Sequence, residues 1–221
     1  MGNFTGFTDD TFRFLLELAF NNNKTFFEAN RKRYETQVRD RMRALALDLL
    51  PMALEIDPQI CKRPTGIVSR INRDTRFSRD KSPYRDHLWF IFRRDGESIS
   101  EGLSFYFEIK PTAYTYGLGM YDTNKPLMDA LRERATTFET KFRQIISAPA
   151  LLERFTLSGE DYKRPPLPDI APELGVWLNK RYFYLHHDST ELDRVKRADF
   201  ADELKSGMEV LRDIYAFSRG I

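Results

Sequence analysis

Three segments rich in β-branched and aromatic residues, at 87–94, 102–110 and 114–121, follow one another over links too short to allow more than one way of pairing. A parallel crossover takes a dozen or more residues, whereas Asp95-Gly96 opens only a brief polar link and Pro111-Thr112-Ala113 is all that joins the last two segments. The spacing therefore predicts an antiparallel three-stranded meander. In the middle segment Leu103, Phe105, Phe107 and Ile109 share one face, and Ser104, Tyr106 and Glu108 share the other, so one side of the sheet is read as core. Residues 66–72 and 181–187 have similar composition and bring the expected sheet to about five strands.

Helical signals surround this centre. Thr8 is placed to cap a first helix, with Asp9 and Asp10 in its opening turn and Phe12, Leu15, Leu16 and Ala19 on one stripe. After Asn21-Asn22-Asn23, a second pattern runs through Phe27, Tyr34, Val38, Met42, Leu45 and Leu49. Pro51 is expected to bend or end it, and Pro58 closes the helical region. Asn124 and Pro126 predict a long helix with apolar positions from Leu127 to Ile146, ended or kinked at Pro149. An extended loop at 164–168, a short helix at 173–179 and a final helix at 199–217 complete the pattern. The fold class predicted is α+β: a central antiparallel meander in a sheet of about five strands, packed with N-terminal, middle and C-terminal helices. With no linker or repeat in the sequence, residues 1–221 are expected to form a single domain.

Composition narrows function mainly by exclusion. Cys61 has no partner for a disulfide, the opening residues carry no leader pattern, and no stretch approaches the roughly 18 apolar residues of a membrane span. A cytoplasmic protein with no membrane contact is the expectation, with Cys61 a passive core thiol. Gly2 and Gly6 do not fit an acylation signal, since Ser or Thr would be needed at the second position. His186 and His187 adjoin on a strand and face opposite ways, so no metal site is expected, and no cofactor fingerprint occurs. Serine hydrolase chemistry lacks a Gly-x-Ser-x-Gly motif.

One feature stands out in the charge distribution. Residues 62–85 hold eight Lys or Arg against two acids, while the remainder holds 27 basic against 31 acidic residues. The whole positive excess thus lies in one short segment, the footprint of a local anion site. Residues 70–85 read RINRDTRFSRDKSPYR. This motif, together with Asn23 to Tyr34, Phe105-Tyr106-Phe107, Gly117-Leu118-Gly119-Met120-Tyr121, Leu131-Arg132 and Tyr162-Lys163-Arg164-Pro165-Pro166, resembles the bacterial and fungal family catalogued as domain of unknown function 2461. The chain departs from that pattern at Phe26-Phe27, where the family usually has Trp before Phe, and at Arg79 and Arg85, where Lys is common. The resemblance implies membership but no particular reaction.

Read physically, the motif is a turn-rich loop in which Asp74 and Asp80 each hold an arginine, leaving several cations in surplus. Arg70, Arg73, Arg76, Arg79, Lys81 and Arg85 are the candidate anion ligands, with Tyr84 and Phe77 suited to anchor a ligand or stack on a base, and Tyr106 facing the non-core side of the sheet. A phosphorylated or other small anionic ligand is the expected partner. Nucleic acid is less favoured, because the pI of 8.6 and the acidic remainder argue against broad phosphate-backbone binding. Two other readings stay open: an enzyme in which Glu108 or Asp74 serves as acid or base, and an interaction module whose arginines pair elsewhere and act only structurally. Gly117 and Gly119 are read as marking close packing, by a helix laid over that face.

Overall fold

The computed structural model describes residues 3–76 and 79–221. Helix α1 (Asp9–Phe20) opens as expected: the Thr8 hydroxyl accepts the Thr11 N–H and the Thr11 hydroxyl accepts the Thr8 N–H, a reciprocal cap. Asn23 caps α2 (Lys24–Ala29) by accepting the Phe26 N–H at 3.0 Å. The second helical pattern is broken at Asn30. It resumes as α3 (Arg31–Tyr34), passes through a π-turn (Glu35–Arg39) and continues as α4 (Asp40–Ile56). Pro51 lies inside α4 without ending it. It removes the N–H that would bond the Leu47 carbonyl, and Leu47 is 42% exposed, so the proline falls on the solvent side of the helix.

The meander forms with the predicted pairing: β1 (Leu88–Phe92), β2 (Ser104–Ile109) and β3 (Tyr114–Gly119) are successively antiparallel. Then α6 (Lys125–Thr137), α7 (Glu139–Ile146) and α8 (Pro149–Arg154) lead to β4 (Thr156–Asp161), and α9 (Pro172–Leu178) to β5 (Lys180–Ser189). The long middle helix is therefore divided at Phe138, and Pro149 starts the next helix instead of kinking the previous one. Short α10 (Leu192–Val195) precedes α11 (Phe200–Glu209) and α12 (Arg212–Arg219), into which the predicted last helix is split.

The five strands are ordered β1-β2-β3-β5-β4, all antiparallel, so the strand count and fold class hold while the membership changes. Residues 66–72 are not a strand. Pro64 begins a single turn, α5 (Pro64–Ile67), and the rest joins the sheet through an isolated bridge of Val68 with Phe90, while Asn72 bridges Tyr84, outside the sheet. The fifth strand is instead β4. Its sequence, Thr-Leu-Ser-Gly-Glu-Asp, lies at a sheet edge with little burial and so carries no alternating apolar signal.

One sheet face is core. Phe90, Phe92, Phe105, Phe107, Leu118 and Phe183 are fully buried there, with Phe107 packed on Phe7 and Phe200, and Phe105 on Tyr215 at 4.9 Å between centroids. The opposite face carries Trp89, Tyr106, Glu108, Tyr184 and His186, all half-buried. Gly117 and Gly119 serve this face differently from expectation. A Cβ on Gly117 would lie 1.8 Å from the Leu185 carbonyl oxygen, and one on Gly119 would lie 2.4 Å from the Tyr184 Cα, so the close neighbour is the backbone of β5 and not a helix. Among the described residues no helix is long and apolar enough to cross a membrane. Cys61 is buried, as expected of a core thiol.

Candidate functional site

The arginine motif is a loop pinched shut at its base. The Arg73 N–H donates to the Pro83 carbonyl at 2.9 Å and the Arg85 N–H to the Ile71 carbonyl at 2.8 Å, beside the Asn72–Tyr84 bridge. Asn22 clamps the closure to the N-terminal helices: its side chain accepts the Tyr84 N–H at 3.0 Å and donates to the Tyr84 carbonyl at 2.8 Å. The Tyr84 ring stacks on Phe27 with centroids 4.1 Å apart. Tyr84 is thus a buried anchor that fastens the loop to α2.

Within the loop the carboxylates are consumed locally. Arg76 holds Asp74 through Nη2 at 2.6 Å and Nε at 2.9 Å, and that guanidinium with the Arg76 N–H draws the Asp74 carboxyl down to about 2. Asp80 is held below the usual range by Ser82, through its hydroxyl and its N–H, and by its pair with Arg73. Lys81 donates to the Thr75 carbonyl at 2.8 Å. Among the described residues Arg85 pairs with no carboxylate: it bonds the Arg70 and Asn72 carbonyls and lies 4.9 Å from the Trp89 ring centroid. Desolvation, together with the charges of Arg73 and Arg70, holds Arg85 below the ordinary arginine value. The positive charge predicted to crowd this segment is therefore present and only partly relieved. Arg79 is exposed, and Phe77 lies outside the described residues.

Beside the loop's base is a cavity of about 570 Å³, a size ordinary for small-ligand sites. Arg70, Ser69, Asn72 and Tyr84 form one wall. The other is helical, with Lys24, Arg31, Arg39 and Arg43 as cations and, among the described residues, Glu28 and Glu35 as carboxylates. Arg31 pairs with Glu28 at 2.6 Å and Arg39 with Glu35 at 3.1 Å, so the acids are spent. Lys24 and Arg70 have no ion pair among the described residues. The Nε of Arg43 is buried without a hydrogen-bond partner, and its Nη1 is 3.9 Å from Asp40.

The sequence candidates thus separate. Arg70 and Tyr84 line the cavity, while Arg73, Arg76, Arg79, Lys81 and Arg85 are not among its lining residues. Tyr106 and Glu108 are on the open sheet face instead, Tyr106 bonding the Leu185 carbonyl at 3.3 Å and Glu108 facing Lys110 at 3.2 Å and His87 at 3.7 Å. Neither candidate acid shares the cavity, since Asp74 is tied to Arg76 and Glu108 is on the sheet. The residues that sequence reading overlooked are Lys24, Arg31, Arg39 and Arg43. A readable signal existed, because positions 31, 35, 39 and 43 fall four apart on one helical face and three of them are arginine.

The model of a conserved hypothetical protein family, DUF2461, matches residues 10–217, nearly the whole chain. The chain belongs to the DUF2461 family. No curated protein matches it. In this DUF2461 chain, one motif residue far from the loop has a structural part: Arg132, almost fully buried, donates to the Leu178 and Lys180 carbonyls and to Asp129, each at 2.7 Å, and so joins α6 to the junction of α9 and β5.

Proposed function

We propose that this DUF2461 protein binds a phosphorylated or otherwise anionic small ligand in the cavity between the N-terminal helices and the base of the arginine loop. The observation that carries the reading is the charge of the cavity wall, where five cations, Arg43 among them, face two carboxylates already paired. Arg70 and Lys24 supply charge, and the Asn72 amide and Ser69 and Thr65 hydroxyls supply neutral polar contacts. Glu35 and Arg39 bound the π-turn, a distortion that commonly re-aims side chains at functional positions. The cavity beside the motif favours ligand binding over the interaction-module reading, and the pairing of Glu28 and Glu35 favours it over the acid-base reading.

The test is a thermal-shift series with inorganic phosphate, pyrophosphate and AMP. At a hundredfold excess over its dissociation constant a ligand adds about 2.7 kcal/mol, or roughly 5–10 °C for a chain of this size. Arg43→Ala and Arg70→Ala should each remove the shift, whereas Arg76→Ala should keep it. Equal shifts in the wild type and in both cavity variants, or none with any of the three anions, would refute the reading.

A further inference from the structure

At the far edge of the sheet the open face brings together three residues that the sequence separates. Side chains two apart on a strand share a face, so His186 and Asp188 of β5 point the same way. On β4, Thr156 is directly opposite His186, which makes Ser158 its diagonal neighbour on that face. The bonds follow this register. Ser158 Oγ is 3.0 Å from His186 Nε2, and His186 Nδ1 is 2.8 Å from Asp188 Oδ2. Burial raises the Asp188 carboxyl, but the Thr115 hydroxyl and His186 outweigh it, and the group lies below its ordinary value and is ionised at neutral pH. An ionised carboxylate only accepts, so Nδ1 carries a ring proton, and in the neutral ring Nε2 is the lone pair that receives the Ser158 hydroxyl hydrogen.

We infer that Ser158, His186 and Asp188 form a nucleophilic site that takes an acyl group from a carboxylic ester. Ser158 Oγ bonds the ester carbonyl carbon as its proton moves to His186 Nε2, and the alcohol departs with that proton when the C–O bond breaks. Water then attacks the acyl-serine, giving its proton to Nε2, and the carboxylic acid is released as Ser158 regains a hydrogen. Asp188 is a positioning residue that holds the tautomer. Tyr184, with its ring centroid 5.4 Å from that of His186, and Tyr106 flank the site, while Asp188 and Glu108 repel a second carboxylate. An uncharged acyl group is therefore the class that fits. The site is independent of the anion cavity: β1, beside the cavity, and β4 are four strand spacings apart, about 19 Å.

A competing account makes these bonds mere ties holding an edge strand, and the two are separable with an alkyl fluorophosphonate, which a serine attacks at phosphorus with loss of fluoride. The full chain should be labelled at Ser158, as read by peptide mass spectrometry. His186→Gln, which keeps a hydrogen bond but cannot take the proton, should slow labelling at least about 100-fold, as should His186→Ala. Asp188→Asn should lower the maximal labelling rate with the half-saturating probe concentration unchanged. Absence of the adduct at Ser158, or an unchanged rate in His186→Gln, would overturn the inference; a lowered melting temperature in that variant with labelling intact would assign the bonds to strand pairing alone.

Discussion

Removing the Asp57 carboxylate should cost more than almost any other single polar change in this chain. Asp57 follows the last residue of α4 and is 1% exposed. Its Oδ2 accepts from Arg94 Nε at 2.6 Å and from the Tyr215 hydroxyl at 2.7 Å, and its Oδ1 accepts the Gln59 N–H at 3.0 Å. One side chain thus ties the end of α4 to the end of β1 and to α12. Asp57→Ala leaves a guanidinium and a phenol without their acceptor, and breaking a buried pair in this way costs about 3–5 kcal/mol. Arg94 keeps 20% of its side chain exposed and regains some hydration, so we expect the lower end, about 3 kcal/mol. Against a total stability of roughly 5–15 kcal/mol this lowers the melting temperature by about 6–12 °C. Urea unfolding followed by circular dichroism measures it. Tyr215→Phe alone should cost about 1.5 kcal/mol, the loss of one hydrogen bond to a charged group. In the Asp57→Ala background it should cost under about 0.5 kcal/mol, because its partner has already gone. A loss below about 1 kcal/mol for Asp57→Ala, or strict additivity of the two changes, would show that the triad is not coupled.

The same carboxylate gives a pH dependence with a definite sign. Burial raises Asp57, but its bonds to Tyr215, Arg94 and the Gln59 N–H outweigh this and set the folded pKa below the ordinary 3.8, and Asp10, bonded by Arg33, is shifted the same way. Their contribution is complete above about pH 5 and disappears as pH falls through the folded values, so stability should decline below about pH 4, and less steeply in Asp57→Ala. Acid titration of the unfolding free energy checks this, and a slope identical in wild type and variant would count against it. Gly117→Ala puts a methyl group 1.8 Å from the Leu185 carbonyl, a backbone atom that cannot yield without parting β3 from β5. A loss of at least about 3 kcal/mol, or failure to fold, is expected; a well-folded variant within about 1 kcal/mol of wild type would mean that the strands are less closely apposed.

What the linear chain determined is whatever depends on neighbours in sequence. The Thr8 and Asn124 caps, the meander enforced by the Pro111-Thr112-Ala113 link, and the alternation that sends Phe105 and Phe107 inward are local in cause and readable as such. The surplus of arginine at 70–85 was equally plain, and so was the family pattern. Tertiary structure decided the rest, because each remaining feature is set by a contact between distant segments. The edge strand β4 has no pattern of its own and is held by pairing with β5. Residues 66–72 have a strand's composition but join the sheet only as an isolated bridge, Val68 with Phe90. The cavity beside the arginine loop joins Arg70 to Arg39 and Arg43 across a fold boundary, and the line from Ser158 to His186 exists only in one register of β4 against β5. Charge and periodicity are properties of a segment, whereas which cations face one another, and which hydroxyl meets which imidazole, depends on how packing closes the chain.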